Sequence, residues 1–107
     1  MTPEIFNQVT KQLLTKCSNV RNMKREEYAD GSDRLSNFAA AADLNSTSVP
    51  EAVLGMMTKH IVSISDMVRD EFRLGDKVFK VNQWEEKIID NINYLILLYA
   101  SIREEKE

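Results

Sequence analysis

Apolar side chains recur at three- and four-residue steps in four stretches of the chain, which predicts four helices. The first helix is expected to begin after Thr2, a residue able to cap it, with Pro3 in the first turn, where a missing N–H is tolerated. It should end before the turn signal of residues 30–32, which read Asp-Gly-Ser. One apolar stripe runs along this helix and consists of Phe6, Val9, Leu13, Cys17 and Val20.

A short second helix and a long third helix follow. The apolar side of the second consists of Leu35, Phe38, Ala39 and Ala42. Ser48 and Glu51 have the spacing of a capping box, which predicts the start of the third helix. We expect this helix to fray between Phe72 and Gly75, and residues 76–81 to form either a short extended piece or a loop clasp. The stripe of the third helix consists of Val53, Met57, Ile61, Ile64 and Val68, flanked by Met56 and Met67.

The last helix is predicted to start at Asn82 as its cap, with Glu85 three residues later. Its main stripe consists of Trp84, Ile88, Ile92, Leu95 and Tyr99. Large apolar side chains surround its axis over residues 94–99, and a helix that is apolar all round is normally buried on all sides. It therefore lies centrally among the other helices or packs against a second subunit. We expect a homo-oligomer, with an interface formed by Tyr94, Leu95, Leu97 and Leu98.

Composition supports one soluble domain. The 107 residues are 43% hydrophobic and 29% charged, close to the values of ordinary globular proteins. The prediction is a single all-α domain over residues 1–107, a compact bundle of about four helices. A net charge of -3 disfavours non-specific nucleic-acid binding, which depends on clustered cations. No secretory signal is expected at the start, and the longest apolar run, residues 94–100, is too short to span a bilayer. We therefore expect a cytoplasmic protein.

Helical spacing groups several carboxylates. Glu86, Asp90 and Asn93 share a face of the last helix, and so do Lys59, Ser63, Asp66 and Asp70 on the third. Two such faces on neighbouring helices could hold Mg²⁺, which takes oxygen ligands and a phosphate substrate. Solvated polar faces explain the same spacing, because such pairs are common on helices.

Two reactive side chains have simpler interpretations as well. His60, the single histidine, is either a ligand-binding residue or a partly buried, hydrogen-bonded side chain. Cys17 lies in an apolar stripe and is expected in the core, and as the single cysteine it cannot form a disulfide within the chain. No local motif indicates covalent catalysis.

The stretch Asp33-Arg34-Leu35-Ser36-Asn37-Phe38 offers an arginine fork and an amide. Asp33 could cap the second helix, and Arg34 and Asn37, three residues apart, could bind a phosphate or a carboxylate. The alternative is an ion pair that fixes the short helix to Glu86 or Asp90.

Four motifs stand out between residues 25 and 104. They are Tyr28-Ala29-Asp30, Asp33-Arg34-Leu35-x-Asn37-Phe38, Met56-Met57-x-Lys59-His60-x-Val62-Ser63, and Trp84-x-Glu86-Lys87-x-x-Asp90-x-Ile92-Asn93-Tyr94-Leu95. Together they resemble a family of small phage and prophage proteins. That family is more remotely similar to nucleotide-modification-associated domains and to the all-α nucleoside-triphosphate pyrophosphohydrolases of the MazG type.

The MazG resemblance implies an acidic pair followed by a tyrosine on the last helix, which Glu86, Asp90 and Tyr94 match. MazG-type enzymes also have a Glu-Glu-x-x-Glu cluster on the preceding helix, and this chain departs from that pattern. Residues 26–30 have a similar spacing but stand at the end of the first helix. A two-metal site needs its full set of carboxylates, so the departure disfavours hydrolysis.

The expectation is therefore a nucleotide-binding cleft in a degenerate relative of these enzymes. If the chain is an enzyme, it should be a magnesium-dependent nucleoside triphosphate pyrophosphohydrolase. The expected ligand-binding residues are Arg34, Asn37, Lys59, His60 and Asn93, and the expected magnesium ligands are Glu86, Asp90 and Asp66. The alternative is a phage anti-defence protein in the host cytoplasm, which sequesters a nucleotide signal or blocks a host defence protein without catalysis.

Overall fold

The computed structural model describes residues 1–27 and 33–107, without the side chains of Glu26 and Glu27. Four α-helices make up the fold: α1 (Pro3–Glu27), α2 (Ser36–Asn45), α3 (Val49–Val68) and α4 (Val81–Lys106). A π-helical turn, Arg69–Arg73, continues α3. The predicted all-α bundle of about four helices is confirmed. The turn signal at residues 30–32 and the motif Tyr28-Ala29-Asp30 lie outside the described residues.

Two of the predicted helix starts are confirmed in atomic detail. The Thr2 Oγ1 accepts a hydrogen bond from the Ile5 N–H at 3.2 Å, which satisfies a free donor at the start of α1. At α3 the Ser48 Oγ accepts from the Glu51 N–H at 3.2 Å, and the Glu51 Oε2 accepts from the Ser48 N–H at 2.7 Å. This reciprocal capping box holds the pKa of Glu51 below its usual value.

The other two starts differ from the prediction. The Asp33 Oδ1 accepts from the Leu35 N–H at 2.8 Å, so Asp33 forms a turn before α2 instead of capping it. The last helix begins at Val81, one residue before the expected cap Asn82. There the Gln83 Oε1 accepts from the Lys80 N–H at 2.8 Å, and the capping interaction is shifted two residues toward the N-terminus.

The helix α4 lies between α1 and α3, while α2 packs against α3. The central apolar cluster contains Leu35, Phe38 and Val53, with Val49, Ala52, Tyr94, Leu97 and Leu98 packed around it. On the other side of α4, Cys17 of α1 is fully buried. The stripe of α1 continues beyond this contact, where Phe6 and Val9 are exposed. Within the described residues, no helix is long and apolar enough to cross a membrane.

The inward side of α3 is rotated relative to the predicted stripe. Val53 and Met57 are buried as expected, but Met67 is buried where Val68 was predicted, and both Ile61 and Val68 are exposed. The reason is that the inward side includes the half-buried His60, which meets polar groups of α4. An apolar periodicity cannot identify a stripe with a polar member.

The stripe predicted for α4 is largely the solvent-facing side of this helix. Leu95 and Tyr99 are exposed, and Ile88 and Ile92 are only half-buried. The side that meets α1 and α3 instead contains the buried residues Ile89, Asn93 and Ser101. Because α4 is apolar all round over residues 94–99, the sequence does not identify which side the neighbouring helices cover there.

The connection from α3 to α4 is a loop clasp, one of the two forms expected for residues 76–81. The Glu71 carboxylate accepts from the Phe79 N–H at 2.6 Å and from the Trp84 Nε1–H at 3.1 Å. The Trp84 ring lies between Phe72, at 5.7 Å between centroids, and Phe79, at 5.8 Å. Gly75 adopts a φ of 71°, a conformation that other residues rarely take.

Truncation of Phe38 tests the central cluster. Phe38 is 8% exposed and meets the Tyr94 ring edge-on at 6.2 Å. We expect Phe38→Ala to lower the free energy of unfolding by about 3–5 kcal/mol, the cost of deleting a buried ring. Leu44→Ala is the matched control in the same helix, because Leu44 is 87% exposed, and it should change stability by less than about 0.5 kcal/mol. Denaturant melts measure both, and a loss below about 1 kcal/mol for Phe38→Ala would contradict the packing.

The capping box gives a pH-dependent prediction. Because the folded-state pKa of Glu51 is lowered, its contribution to stability is complete above the usual value of 4.5 and is lost as the pH falls through the folded pKa. We expect Ser48→Ala to raise the pKa of Glu51 part of the way toward its usual value, because the backbone hydrogen bond to the carboxylate remains while the Ser48 hydroxyl bond, which also stabilises the charged form, is lost. A carboxyl NMR titration measures this, and an unchanged pKa would rule out the capping interaction.

Candidate functional site

Polar and charged side chains from three helices converge around His60, on the inward side of α3. The His60 Nδ1 lies 3.8 Å from the Asp90 Oδ2 of α4, and the Lys24 Nζ of α1 lies 3.6 Å from the Asp90 Oδ1. These are ion-pair distances, longer than direct hydrogen bonds. Asp90 therefore links α1 and α3 electrostatically across α4.

The position of His60 is fixed by contacts with α4. The Asn91 Nδ2 donates to the His60 carbonyl oxygen at 3.1 Å and to the Lys87 carbonyl oxygen at 2.9 Å. The Tyr94 ring lies 4.8 Å from the imidazole between centroids. Through the Tyr94–Phe38 contact, the imidazole is connected to the apolar core. The ring is thus held between a packed aromatic face and a carboxylate.

Burial has the largest effect on the pKa of His60, and the charge of Asp90 has the second largest. Burial lowers the pKa of His60 below its usual value of 6.5. Asp90 raises this pKa, but the positive charges of Lys59, Lys24 and Lys87 lower it. We call these five residues, Lys24, Lys59, His60, Lys87 and Asp90, the His60 cluster.

The lowered pKa of His60 makes stability depend on pH. Between the folded and unfolded pKa values the unfolded chain binds more protons. The stability from a neutral His60 is therefore complete above about pH 6.5 and falls as the pH drops toward the folded pKa.

A buried amide next to the cluster joins α1 to α4. The Asn93 Oδ1 accepts from the Arg21 Nη1 at 2.9 Å, and the Asn93 Nδ2 donates to the Cys17 carbonyl oxygen at 3.2 Å. Burial raises the pKa of the Cys17 thiol, so the thiol stays protonated near neutral pH. Cys17 is a core residue, as predicted.

The structure brings together only some of the expected ligand-binding residues. Lys59 and His60 belong to the His60 cluster, whereas both ends of the Asn93 amide are engaged by α1. Arg34 and Asn37 are exposed on the α2 side, and within the described residues neither makes a hydrogen bond or an ion pair. The alternative ion pair from Arg34 to Glu86 or Asp90 is therefore not formed.

The three predicted magnesium ligands do not share contacts with one another. Asp90 faces Lys24 and His60, Asp66 pairs with Arg69 at 3.3 Å, and Glu86 is exposed. Among the side chains that the structure describes, which exclude Glu26 and Glu27, no three His, Cys, Asp or Glu residues form a group that could hold a metal ion. The magnesium site stays a prediction.

Sequence reasoning missed the contribution of α1 to the site. Arg21 and Lys24 lie four and seven residues after Cys17 and so share its side of the helix. The apolar stripe of α1 thus becomes cationic in its last turns, which is a readable signal for a polar contact with a neighbouring helix. The roles of Lys87 and Asn91 depend on the position of α3 and have no comparable signal in the sequence.

Comparisons of the chain with protein-family models, with curated proteins and with solved structures find no match. The resemblance to phage proteins and to MazG-type enzymes therefore remains a prediction.

Replacement of Asp90 tests the electrostatics of the cluster. We expect Asp90→Asn to lower the pKa of His60 further, because the charge that raises it is removed while burial and the lysines remain. The single histidine allows a direct NMR titration of the imidazole. Asp66→Asn is the control, since Asp66 pairs with Arg69, and it should leave the pKa of His60 unchanged. A higher or unchanged pKa in Asp90→Asn would contradict the arrangement.

Proposed function

We propose that the chain binds a phosphate-bearing nucleotide at the His60 cluster and does not hydrolyse it. The observation that supports this proposal is the contact of Asp90 of α4 with Lys24 of α1 and with His60 of α3, at a place where Lys24, Lys59 and Lys87 all act electrostatically on the imidazole. Phosphate oxygens are strong acceptors that lysine ammonium groups bind well.

The local charge contrasts with that of the whole chain. The net charge is -3, yet the cluster combines three lysine charges with one carboxylate. An anion bound here would offset the lysine charges that lower the pKa of His60 and would stabilise the protonated imidazole. Lys24 is 42% exposed, so a ligand can reach it from solvent.

Binding without hydrolysis fits the carboxylate contacts better than catalysis does. Asp90 and Asp66 neutralise cations of the protein, and magnesium would have to compete with those cations for them. The proposal keeps the expected nucleotide ligand, but it places the binding site at the His60 cluster and not at Arg34 and Asn37. A nucleotide-sequestering anti-defence protein would need the same chemistry.

A second candidate function is the blocking of another protein. Phe72, Leu74 and Val78 are exposed within one short segment next to the loop clasp. Exposed apolar patches commonly mark protein interaction sites. In that case the chain would bind its target protein through Phe72, Leu74 and Val78, and the His60 cluster would have no ligand.

We also propose that the chain self-associates through α4. Three of the four residues first expected at that interface, Tyr94, Leu97 and Leu98, pack against the core of their own chain. Leu95, the fourth, is exposed and remains available to a partner.

Calorimetric titration with adenosine triphosphate and with inorganic pyrophosphate tests the nucleotide proposal. We expect saturable binding at one site per chain, tighter for the nucleotide. Lys24→Gln should weaken binding by about 10- to 150-fold, since a hydrogen bond to a charged group contributes about 1.5–3 kcal/mol. Lys11→Gln is the matched control, because Lys11 is an exposed lysine of α1 outside the cluster, and its affinity should equal that of the wild type.

Two results would overturn this proposal. Absence of binding to common nucleoside triphosphates and pyrophosphate would leave the protein-blocking candidate. Magnesium-dependent release of pyrophosphate from a nucleoside triphosphate, abolished in Asp90→Asn, would instead establish the hydrolase.

A further inference from the structure

The chain exposes more surface than a monomer of its mass usually does. Its accessible surface is 7932 Å², whereas about 6,100 Å² is expected for a folded chain of 12.3 kDa. Its radius of gyration is 16.2 Å, against about 13 Å for a typical domain of this length. The excess of about 1,800 Å², to which the exposed residues 1–12 also contribute, is larger than the roughly 800 Å² that each partner contributes to a stable interface.

Part of this uncovered surface has the spacing of a helix-pairing seam. Five apolar side chains lie along the outer side of α4 at successive steps of four, three, four and three residues. This alternation is the heptad pattern by which two helices pack side by side. The seam extends over about 21 Å of helix. It consists of Ile88, Ile92, Leu95, Tyr99 and Ile102.

The seam is exposed most strongly at Leu95 and Tyr99, and none of its five side chains is charged. Leu95 is 53% exposed and Tyr99 is 61% exposed, while Ile88 and Ile92 are half-buried. Depletion of charge with enrichment of large apolar and aromatic side chains is typical of the core of an interface.

We infer that two copies of the chain form a two-fold symmetric dimer in which the seam of one copy packs against the seam of the other. This inference rests on the proposed self-association. A heptad seam fits another heptad seam, and each copy supplies one. The partner therefore covers the outer side of α4, opposite the core contacts of Tyr94, Leu97 and Leu98.

Sedimentation equilibrium of the full chain at about 50 µM tests the dimer. The wild type should have twice the mass of a 12.3 kDa chain. The double variant Leu95→Glu, Tyr99→Glu should be monomeric, because it places four carboxylates in the interface of a dimer. The control is Leu44→Glu, Val78→Glu, which introduces the same charges at exposed apolar positions outside the seam and should remain dimeric. Circular dichroism verifies that all three are folded.

Cross-linking tests the seam even if the charged variant fails to fold. Leu95 is the middle residue of the seam, so two Leu95 side chains meet at the dimer axis whether the helices run parallel or antiparallel. Leu95→Cys should form a covalent dimer with oxidised glutathione, whereas Val78→Cys should not, and the buried Cys17 stays protected.

The outcomes separate the two claims. A monomeric wild type at this concentration would refute self-association, and with it the dimer seam. A dimer that survives Leu95→Glu, Tyr99→Glu and is not cross-linked through Leu95→Cys would refute the seam and leave self-association intact. Neither result bears on nucleotide binding, which is measured separately.

Discussion

The amide of Asn93 is the contact on which the arrangement of α1 against α4 depends. Asn93 is buried on α4, and its two ends bind the Arg21 guanidinium and the Cys17 carbonyl oxygen. An unsatisfied buried amide costs about 1–3 kcal/mol, so sliding α1 along α4 is disfavoured at this point. The register that Asn93 fixes is also the one that brings Lys24 to Asp90. A structural hydrogen bond therefore positions the charges of the His60 cluster.

The helices and most of their ends follow from local chemistry. The Ser48–Glu51 capping box and the Thr2 cap are interactions within four residues, and the sequence predicts both. Asn82 is the wrong cap because the helix begins earlier, where Lys80 occupies the cap position and Gln83 takes the role expected of Glu85. Local rules identify a helix start to within a residue or two, and they do not decide between neighbouring polar side chains.

Packing and the site depend on choices that the sequence leaves open. The helix α4 has two apolar sides, and the covered one contains the polar Asn93, while Leu95 and Tyr99 remain outside. Periodicity alone favours the side with Leu95 and Tyr99 as the buried one, because its apolar residues are not interrupted by a polar residue. Sequence reasoning names His60, Lys59 and Asp90 as candidates, because they lie on or beside the polar faces of the third and fourth helices. Lys24 was missed, since only the crossing of α1 with α4 brings it near Asp90.

The titration of His60 by NMR, with and without saturating inorganic pyrophosphate, tests the central claim most directly. The three lysines now lower the pKa of this imidazole, so an anion bound among them must offset their charge. The account predicts a higher pKa of His60 in the presence of pyrophosphate than in its absence, and no such rise with an equal ionic strength of sodium chloride. A pKa that is the same in both conditions would contradict the assignment of the His60 cluster as an anion site.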